Sequence, residues 1–501
     1  MTHVFVSEGR CQFCHRTAKD VGQLIGGDSG FICDSCVQAC AALLRPREAA
    51  APAEQNRADH FVFQRLARHF APARPQEMLA TARIYPLRQQ ADLQKALDEL
   101  LGERTVPENF VGIRQEYRHE VLDFSKLLEQ NRSPVEVAPV QFEEVDIGAG
   151  ETVRCLKNGL WLFHDDGQPV AVVLSKHDEY GQGANLFLEV AAPPGDRGAA
   201  LASRIFDALE RQLSQNSCYR GRVISLESSY RYTGHADRIR VHQLERVARD
   251  EIILPDTTLR AVERNVLRFA QQRQALRALG LSTQKGLLFH GPPGTGKTHC
   301  IKYLAGELPG HTTLLISAEE VGILPEYMAL ARLLQPALVV IEDADLIGRD
   351  RSALASACDH VMLNRLLNEL DGLRERADVF FVLTTNRPDA LEPALANRPG
   401  RIDQAIEFPL PDEPLRRKLI TLYAKDLRLP ESLRDELARR TAGASPAFIK
   451  EFMRRIAQHH FEADHGTEVT RSTADAALHE MLFSGGLLNT KLLGGEAVAT
   501  E

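Results

Sequence analysis

Apolar positions along the chain change rhythm twice. Residues 92–101, DLQKALDELL, repeat apolar side chains three and four apart, the period of an amphipathic helix, and the stretch from about 60 to 133 reads as mostly helical. The next stretch, 134–245, mixes periods. GLWLFHDDGQPVAVVLS, 159–175, is two apolar runs around an Asp-Asp-Gly turn, which predicts a β-hairpin. NLFLEVAAPPGDRGAALASRIFDALERQL, 185–213, predicts a strand, a Pro/Gly turn and an amphipathic helix; GRVISLE, 221–227, predicts another strand. From about 250 short apolar runs (GLLFH, TTLLIS, ALVVIED, VFFVLTTN, QAIEFPL) alternate with helical stretches. That alternation predicts a parallel sheet covered by helices on both faces. Beyond LPDEP, 410–414, helices are expected to about 483, followed by a loose tail.

Composition bounds what such a chain does. Its 501 residues are 44% hydrophobic and 26% charged, ordinary for a chain with large cores. Lys plus Arg number 60 and Asp plus Glu 68, a formal charge of −8, which counts against a protein built to grip a phosphate backbone. No run reaches the ~18 apolar residues of a membrane span. The opening MTHVFVSEGR lacks a secretory pattern, so the expected location is cytoplasmic.

Cysteine is the uneven component. Five of the nine lie in the first forty residues, as Cys11-x2-Cys14, eighteen residues, Cys33-x2-Cys36, then Cys40. Two turns, each presenting two thiolates, predict a closed tetrahedral Zn2+ site of structural type on Cys11, Cys14, Cys33 and Cys36. Cys40 and His15 are spare in that set. Residues 1–44 hold three basic and four acidic residues, a balance that speaks against nucleic acid. REAAAPAEQNRAD, 47–59, reads as a flexible linker. His235 with His242, and HHFEADH at 459–465, read as polar helix faces rather than metal pairs, and PPGDRG as a plain strand-to-helix turn.

GPPGTGKT, 291–298, follows the run KGLLFH and opens the helical stretch KTHCIKYLAGEL, the context of a P-loop. Gly291, Pro292, Pro293, Gly294, Thr295 and Gly296 form the loop that wraps the phosphates of ATP. Lys297 reaches the β- and γ-phosphates, and Thr298 offers a hydroxyl to Mg2+. Metal and water need carboxylates at a second strand end, which ALVVIEDAD, 337–345, supplies in Glu342, Asp343 and Asp345.

With these motifs the chain from about 250 to 460 resembles the AAA ATPase family, in its classic (FtsH/Cdc-type) branch. The resemblance implies an α/β fold: a P-loop AAA+ parallel-sheet domain with a helical lid, preceded here by a small four-cysteine zinc domain and a mixed α+β middle region. By position Glu342 would serve Mg2+ and Asp343 would polarise water; the family's usual order is Asp then Glu, so the two acids are swapped. Asn386, ending VLTTN, matches the family's sensor. Arg398 and Arg401, in ANRPGRIDQAIEFPLPDEPLRR, match arginines that act on a neighbouring subunit's ATP. Gly443 and Ala444 match the lid helix start, and DEIILP, 250–255, the place that cradles adenine. The segment 317–334, with Tyr327 its nearest aromatic, lacks the aromatic–apolar–Gly step of polypeptide-threading members, and no His-Glu-x-x-His protease motif occurs.

Residues 8–42 resemble the zinc-binding domain of the ClpX unfoldases, which implies a module that dimerises and binds clients and adaptors. The resulting division is 1–46 zinc domain, 47–59 linker, 60–245 helical then α+β region, 246–410 ATPase core, 411–483 lid, 484–501 tail. The implied function is a homo-hexameric, ATP-hydrolysing remodeller of proteins. A weakly hydrolysing ATP switch or scaffold and a nucleic-acid motor are the alternatives.

Overall fold

The computed structural model describes residues 4–5, 9–27, 30–37, 60–117, 119–131, 133–179, 183–227, 238–346, 378–389, 402–462 and 468–481. They belong to two compact units, Met1–Arg65 and Leu66–Glu501.

In the first unit β1 (Val4–Phe5), β2 (Leu24–Gly27) and β3 (Gly30–Cys33) form a small antiparallel sheet. Among the described residues its buried core is Cys11, Leu24 and Cys33, with Ala18, Val21, Phe31, Ile32 and Cys36 packed against it. A core this small is of the kind that a bound metal helps to hold together.

The second unit opens on an antiparallel sheet. Strands β4 (Leu79–Pro86), β5 (Phe110–Ile113), β6 (Val137–Ala138), β9 (Asn158–Asp165), β10 (Gln168–Glu179) and β11 (Gly183–Ala192) pair in the order β4-β11-β10-β9-β5-β6. Asp166 and Gly167 both take positive φ, 49° and 75°, between the paired Asp165 and Gln168. That is the two-residue turn whose twist suits a hairpin, as the sequence predicted. Helices Gln90–Leu101 and Asp196–Gln215 cover one face, burying Leu93, Leu97, Ile205 and Leu209 against Val172, Leu174, Leu188 and Val190. The alternate residues along each strand share that face, which is the period-2 rule at work. The stretch expected to be mostly helical departs from expectation. Among the described residues its helical period holds in Val62–Phe70, Gln90–Leu101 and the single turn Phe124–Leu127, and LATARIYP and FVGI become β4 and β5 because they complete this sheet.

A hairpin of β7 (Phe142–Gly148) and β8 (Glu151–Leu156) packs Ile147, Val153 and Cys155 into the core of the second sheet, which contains β12 (Val223–Glu227), β13 (Arg238–His242), β14 (Lys285–His290), β15 (Thr312–Ile316), β16 (Ala337–Ile341), β17 (Val379–Thr385) and β18 (Gln404–Glu407). Their order is β13-β12-β15-β16-β17-β14-β18. The five strands from β14 onward are mutually parallel where they pair, as the alternation predicted. All residues of β16 and β17 are buried, so these are the central strands and carry no polar face. Beyond them β12 joins β15 in parallel through Val223–Thr313 and Ile224–Leu314. Two strands from before residue 245 thus extend this sheet, β12 in parallel and β13 antiparallel to β12. Helices Glu413–Ala424, Glu431–Arg440, Pro446–Glu462 and Arg471–His479 follow, packed on Leu419, Leu437, Phe448, Phe452 and Ile456.

Candidate active site and metal centre

The registers His290–Thr385 and Ile341–Leu383 bring the carboxyl ends of β14, β16 and β17 to one edge of the sheet. Loops leaving that edge hold every described residue of the expected phosphate chemistry, the usual place for a ligand in a parallel sheet.

Residues 291–296 leave β14 and turn into the helix Lys297–Glu307. Two glycines are forced. A Cβ at Gly291 (φ 147°) would lie 2.2 Å from the Phe408 carbonyl oxygen, and one at Gly294 (φ 76°) 2.8 Å from Ala447 Cβ and 2.9 Å from Ser445 Oγ. Thr295 is buried and donates its hydroxyl to Pro292 O at 2.9 Å, which closes the loop. Lys297 is 7% exposed. Its Nζ donates to Gly291 O (2.7 Å), Pro292 O (3.0 Å) and Asn386 Oδ1 (2.8 Å), which uses all three of its protons. Burial pulls this amine down to about 8, against the pull of Asp343 and Asp345, which favour its charge.

Across the loop, Thr298 Oγ1 donates to Glu342 Oε1 at 2.9 Å. A hydroxyl and a carboxylate side by side are hard oxygen donors, and they fit Mg2+ held jointly with phosphates. Asp343 has φ 48°, a left-handed backbone that Asp tolerates better than most residues. Its N–H donates to Thr384 Oγ1 (3.0 Å), and its Oδ1 accepts from Asn386 Nδ2 (3.1 Å). Asn386 therefore bridges Lys297 and Asp343, with its amide orientation set by its neighbours: ammonium only donates and carboxylate only accepts. Asp345 Oδ1 accepts from Thr385 Oγ1 (2.8 Å) and Asn386 N–H (3.2 Å).

Arg398 and Arg401 lie outside the described residues. Gly443 has positive φ and Ala444 is fully buried, but the lid groups that reach the loop are their neighbours. Ala447 N–H donates to Gly294 O at 3.1 Å, and Ser445 faces the same glycine. Sequence reasoning had not singled out Ser445, Ala447, Thr384 or Thr385; their one signal was adjacency to motif residues. In the adenine-cradle stretch Ile252 and Leu254 are buried in the sheet's core, and Ile253 packs on the lid helices. Tyr327 is fully buried, and its hydroxyl accepts from Leu226 N–H at 2.8 Å, so it is a core residue. His242 sits on a strand, not a helix, and bonds Ser225 Oγ at 2.8 Å; His235 lies outside the described residues. In HHFEADH, His460 is buried rather than on a polar face, and His459 bonds Glu480 at 2.9 Å.

In the first unit the Sγ atoms of Cys11, Cys14, Cys33 and Cys36 lie within 4.8 Å of one another, and among the described residues this is the group with metal-ligand proximity. Cys14 and Cys33 sulfurs are 3.5 Å apart. Ligands at ~2.3 Å from zinc in a tetrahedron stand ~3.8 Å from each other, so the four fit that ion. Backbone N–H groups point at the sulfurs, Cys33 to Cys11 at 3.3 Å and Cys36 to Cys33 at 3.4 Å. Against burial, which raises it, backbone hydrogen bonds at Cys14, Cys33 and Phe13 bring the Cys11 thiol down to about 6. The Cys33 and Cys14 thiols, hydrogen-bonded to it, push Cys36 up. His15 is exposed; Cys40 lies outside the described residues.

The family model for the ATPase family associated with various cellular activities (AAA) matches residues 287–410, and that for the ClpX C4-type zinc finger matches residues 9–45. Among curated relatives, the ATP-dependent zinc metalloprotease FtsH 3 of Sphaerobacter thermophilus is 34% identical over 228 residues, 43% of this chain and 46% of that protein. The proteasome-activating nucleotidase of Methanopyrus kandleri is 34% identical over 216 residues, 41% of this chain and 49% of that protein. A cell division cycle protein 48 homolog of Archaeoglobus fulgidus is 34% identical over 191 residues, 36% of this chain and 26% of that protein. The matches thus span less than half the length of these relatives. No described helix is long and apolar enough to cross a membrane. By the two family models the chain carries an AAA ATPase domain at residues 287–410, where the loop after β14 and the acids after β16 lie, and a ClpX-type C4 zinc finger at residues 9–45, where the sulfur cluster lies.

Proposed function

We propose that this protein hydrolyses ATP to ADP and phosphate and uses the energy, as a cytoplasmic homo-hexameric ring, to remodel other proteins. The observation that carries the reading is the line Lys297–Asn386–Asp343 beside the pair Thr298–Glu342. Loop N–H groups and Lys297 hold the phosphates. Thr298 and Glu342 would hold Mg2+, which would offset phosphate charge. Asp343 takes a proton from the attacking water, and Asn386 aligns that water with the γ-phosphate. Arg398 and Arg401 would complete the site of a neighbouring subunit.

The working division is zinc module 1–46, linker 47–59, region 60–245, core 246–410, lid 411–483 and tail 484–501, with β12 and β13 lending the middle region a direct connection to the core sheet. Relatives named as proteases and proteasome activators support a protein client. The zinc module, dimerising as ClpX-type domains do, would recruit clients or adaptors. A second reading, an ATP-gated switch that hardly turns over, draws on the shorter reach of Asp343 and its engagement by Asn386. Phosphate release from Mg2+-ATP by the purified chain decides between the two, and DNA or RNA should not raise the rate. Removing residues 1–59 should leave that rate nearly intact and reduce the set of co-purifying proteins; a truncated chain that keeps every partner would make the zinc module a passive staple.

A further inference from the structure

Asp345 takes no step in the proposed hydrolysis, yet it binds the residue that does, Asn386. It sits on the single turn Ala344–Leu346 just beyond β16. One oxygen, Oδ1, accepts both the Thr385 hydroxyl (2.8 Å) and the Asn386 N–H (3.2 Å). The Thr385 oxygen accepts the Arg387 N–H at 2.9 Å, so its polarity is fixed: it takes one proton from Arg387 and gives its own to Asp345. Thr385 is fully buried, where an unpaired hydroxyl or carboxylate is costly. The Asp343 N–H meets Thr384 Oγ1 at 3.0 Å. The turns after β16 and β17 are thus stitched together before the Asn386 side chain reaches Lys297 and Asp343.

We propose that Asp345 is a positioning residue for ATP hydrolysis, which fixes the backbone of Asn386 and the Thr385 hydroxyl so that the Asn386 carboxamide spans Lys297 and Asp343. This rests on the reading of the site as a hydrolase. Neighbouring charges already fix the rotation of the amide, so what Asp345 adds is its location. Placement errors of about 1 Å near reacting groups can cost about a hundredfold in rate. A purely structural cap would act differently. Its loss would lower the folded fraction and leave the folded enzyme's turnover alone.

The test compares steady-state ATP hydrolysis, equilibrium binding of a fluorescent ATP analogue and thermal unfolding for the full chain and the variants Asp345→Ala, Asp345→Asn, Thr385→Val and Thr385→Ser. Asp345→Ala and Thr385→Val should lose about tenfold or more in kcat, with analogue affinity within about threefold of the parent. Asp345→Asn, which keeps an acceptor oxygen, should fall between, and Thr385→Ser, which keeps the hydroxyl, should recover most of the rate. Should Asp345→Ala fail to fold, the Thr385 pair still decides. Parent-like kcat in Thr385→Val, an equal deficit in Thr385→Ser, or a rate loss that merely follows the unfolded fraction overturns the proposal. A parent chain with no turnover overturns the hydrolase reading and this inference with it; an active parent with unaffected variants overturns this inference alone.

Discussion

Lys297 is a cation at the margin of its charge. Burial brings it to about 8 while Asp343 and Asp345 resist. The phosphates need the protonated amine, and binding them holds the proton on. Nucleotide affinity should therefore be level below pH 8 and weaken by up to about tenfold per unit above it, because the free enzyme must then take up a proton to bind. Titration of affinity between pH 6.5 and 9.5 checks this; an affinity flat across pH 8 contradicts it. Gly294 is the second sensitive residue. Alanine there meets Ala447 Cβ at 2.8 Å and must also hold φ 76°. The backbone alone costs about 1–2 kcal/mol, so Gly294→Ala should weaken ATP binding by about tenfold or more, measured by calorimetry.

Among elements, the strand ends were the legible part. GLLF, 286–289, and ALVVI, 337–341, are apolar throughout because these parts of β14 and β16 are buried inside the sheet, and the chemistry sits where that run stops. The Asp-Asp-Gly hairpin was legible for a local reason, since the turn needs two positive φ values. β4 was not, because LATARIYP is an edge strand whose partner β11 lies a hundred residues on, and no local period records that pairing. Ser445 and Ala447 were hidden likewise: small residues matter there for what they let approach. The zinc element was legible from spacing alone, and its own core is tiny. Cys33→Ser should drop bound zinc from one per chain to near none by elemental analysis and unfold residues 1–37, while Cys40→Ser should leave zinc in place. Zinc retained in Cys33→Ser would break the four-sulfur assignment.

At the scale of the whole molecule, β12 and β13, from before residue 245, join the ATPase sheet, a connection the sequence could not announce because GRVISLE reads as a strand without naming its partner. A ring of such chains would share its active sites. Lys297→Ala and Arg401→Ala subunits, each inactive alone, should regain activity when mixed, since some boundaries then join an intact loop to an intact arginine. No recovery in mixed rings would contradict action between subunits. The reading of the site itself stands on Asp343. Single-turnover hydrolysis of Mg2+-ATP by Asp343→Asn should fall about a hundredfold or more while ATP affinity stays near that of the parent, because an amide cannot take the proton of the attacking water. Hydrolysis at the parent rate by Asp343→Asn would contradict it.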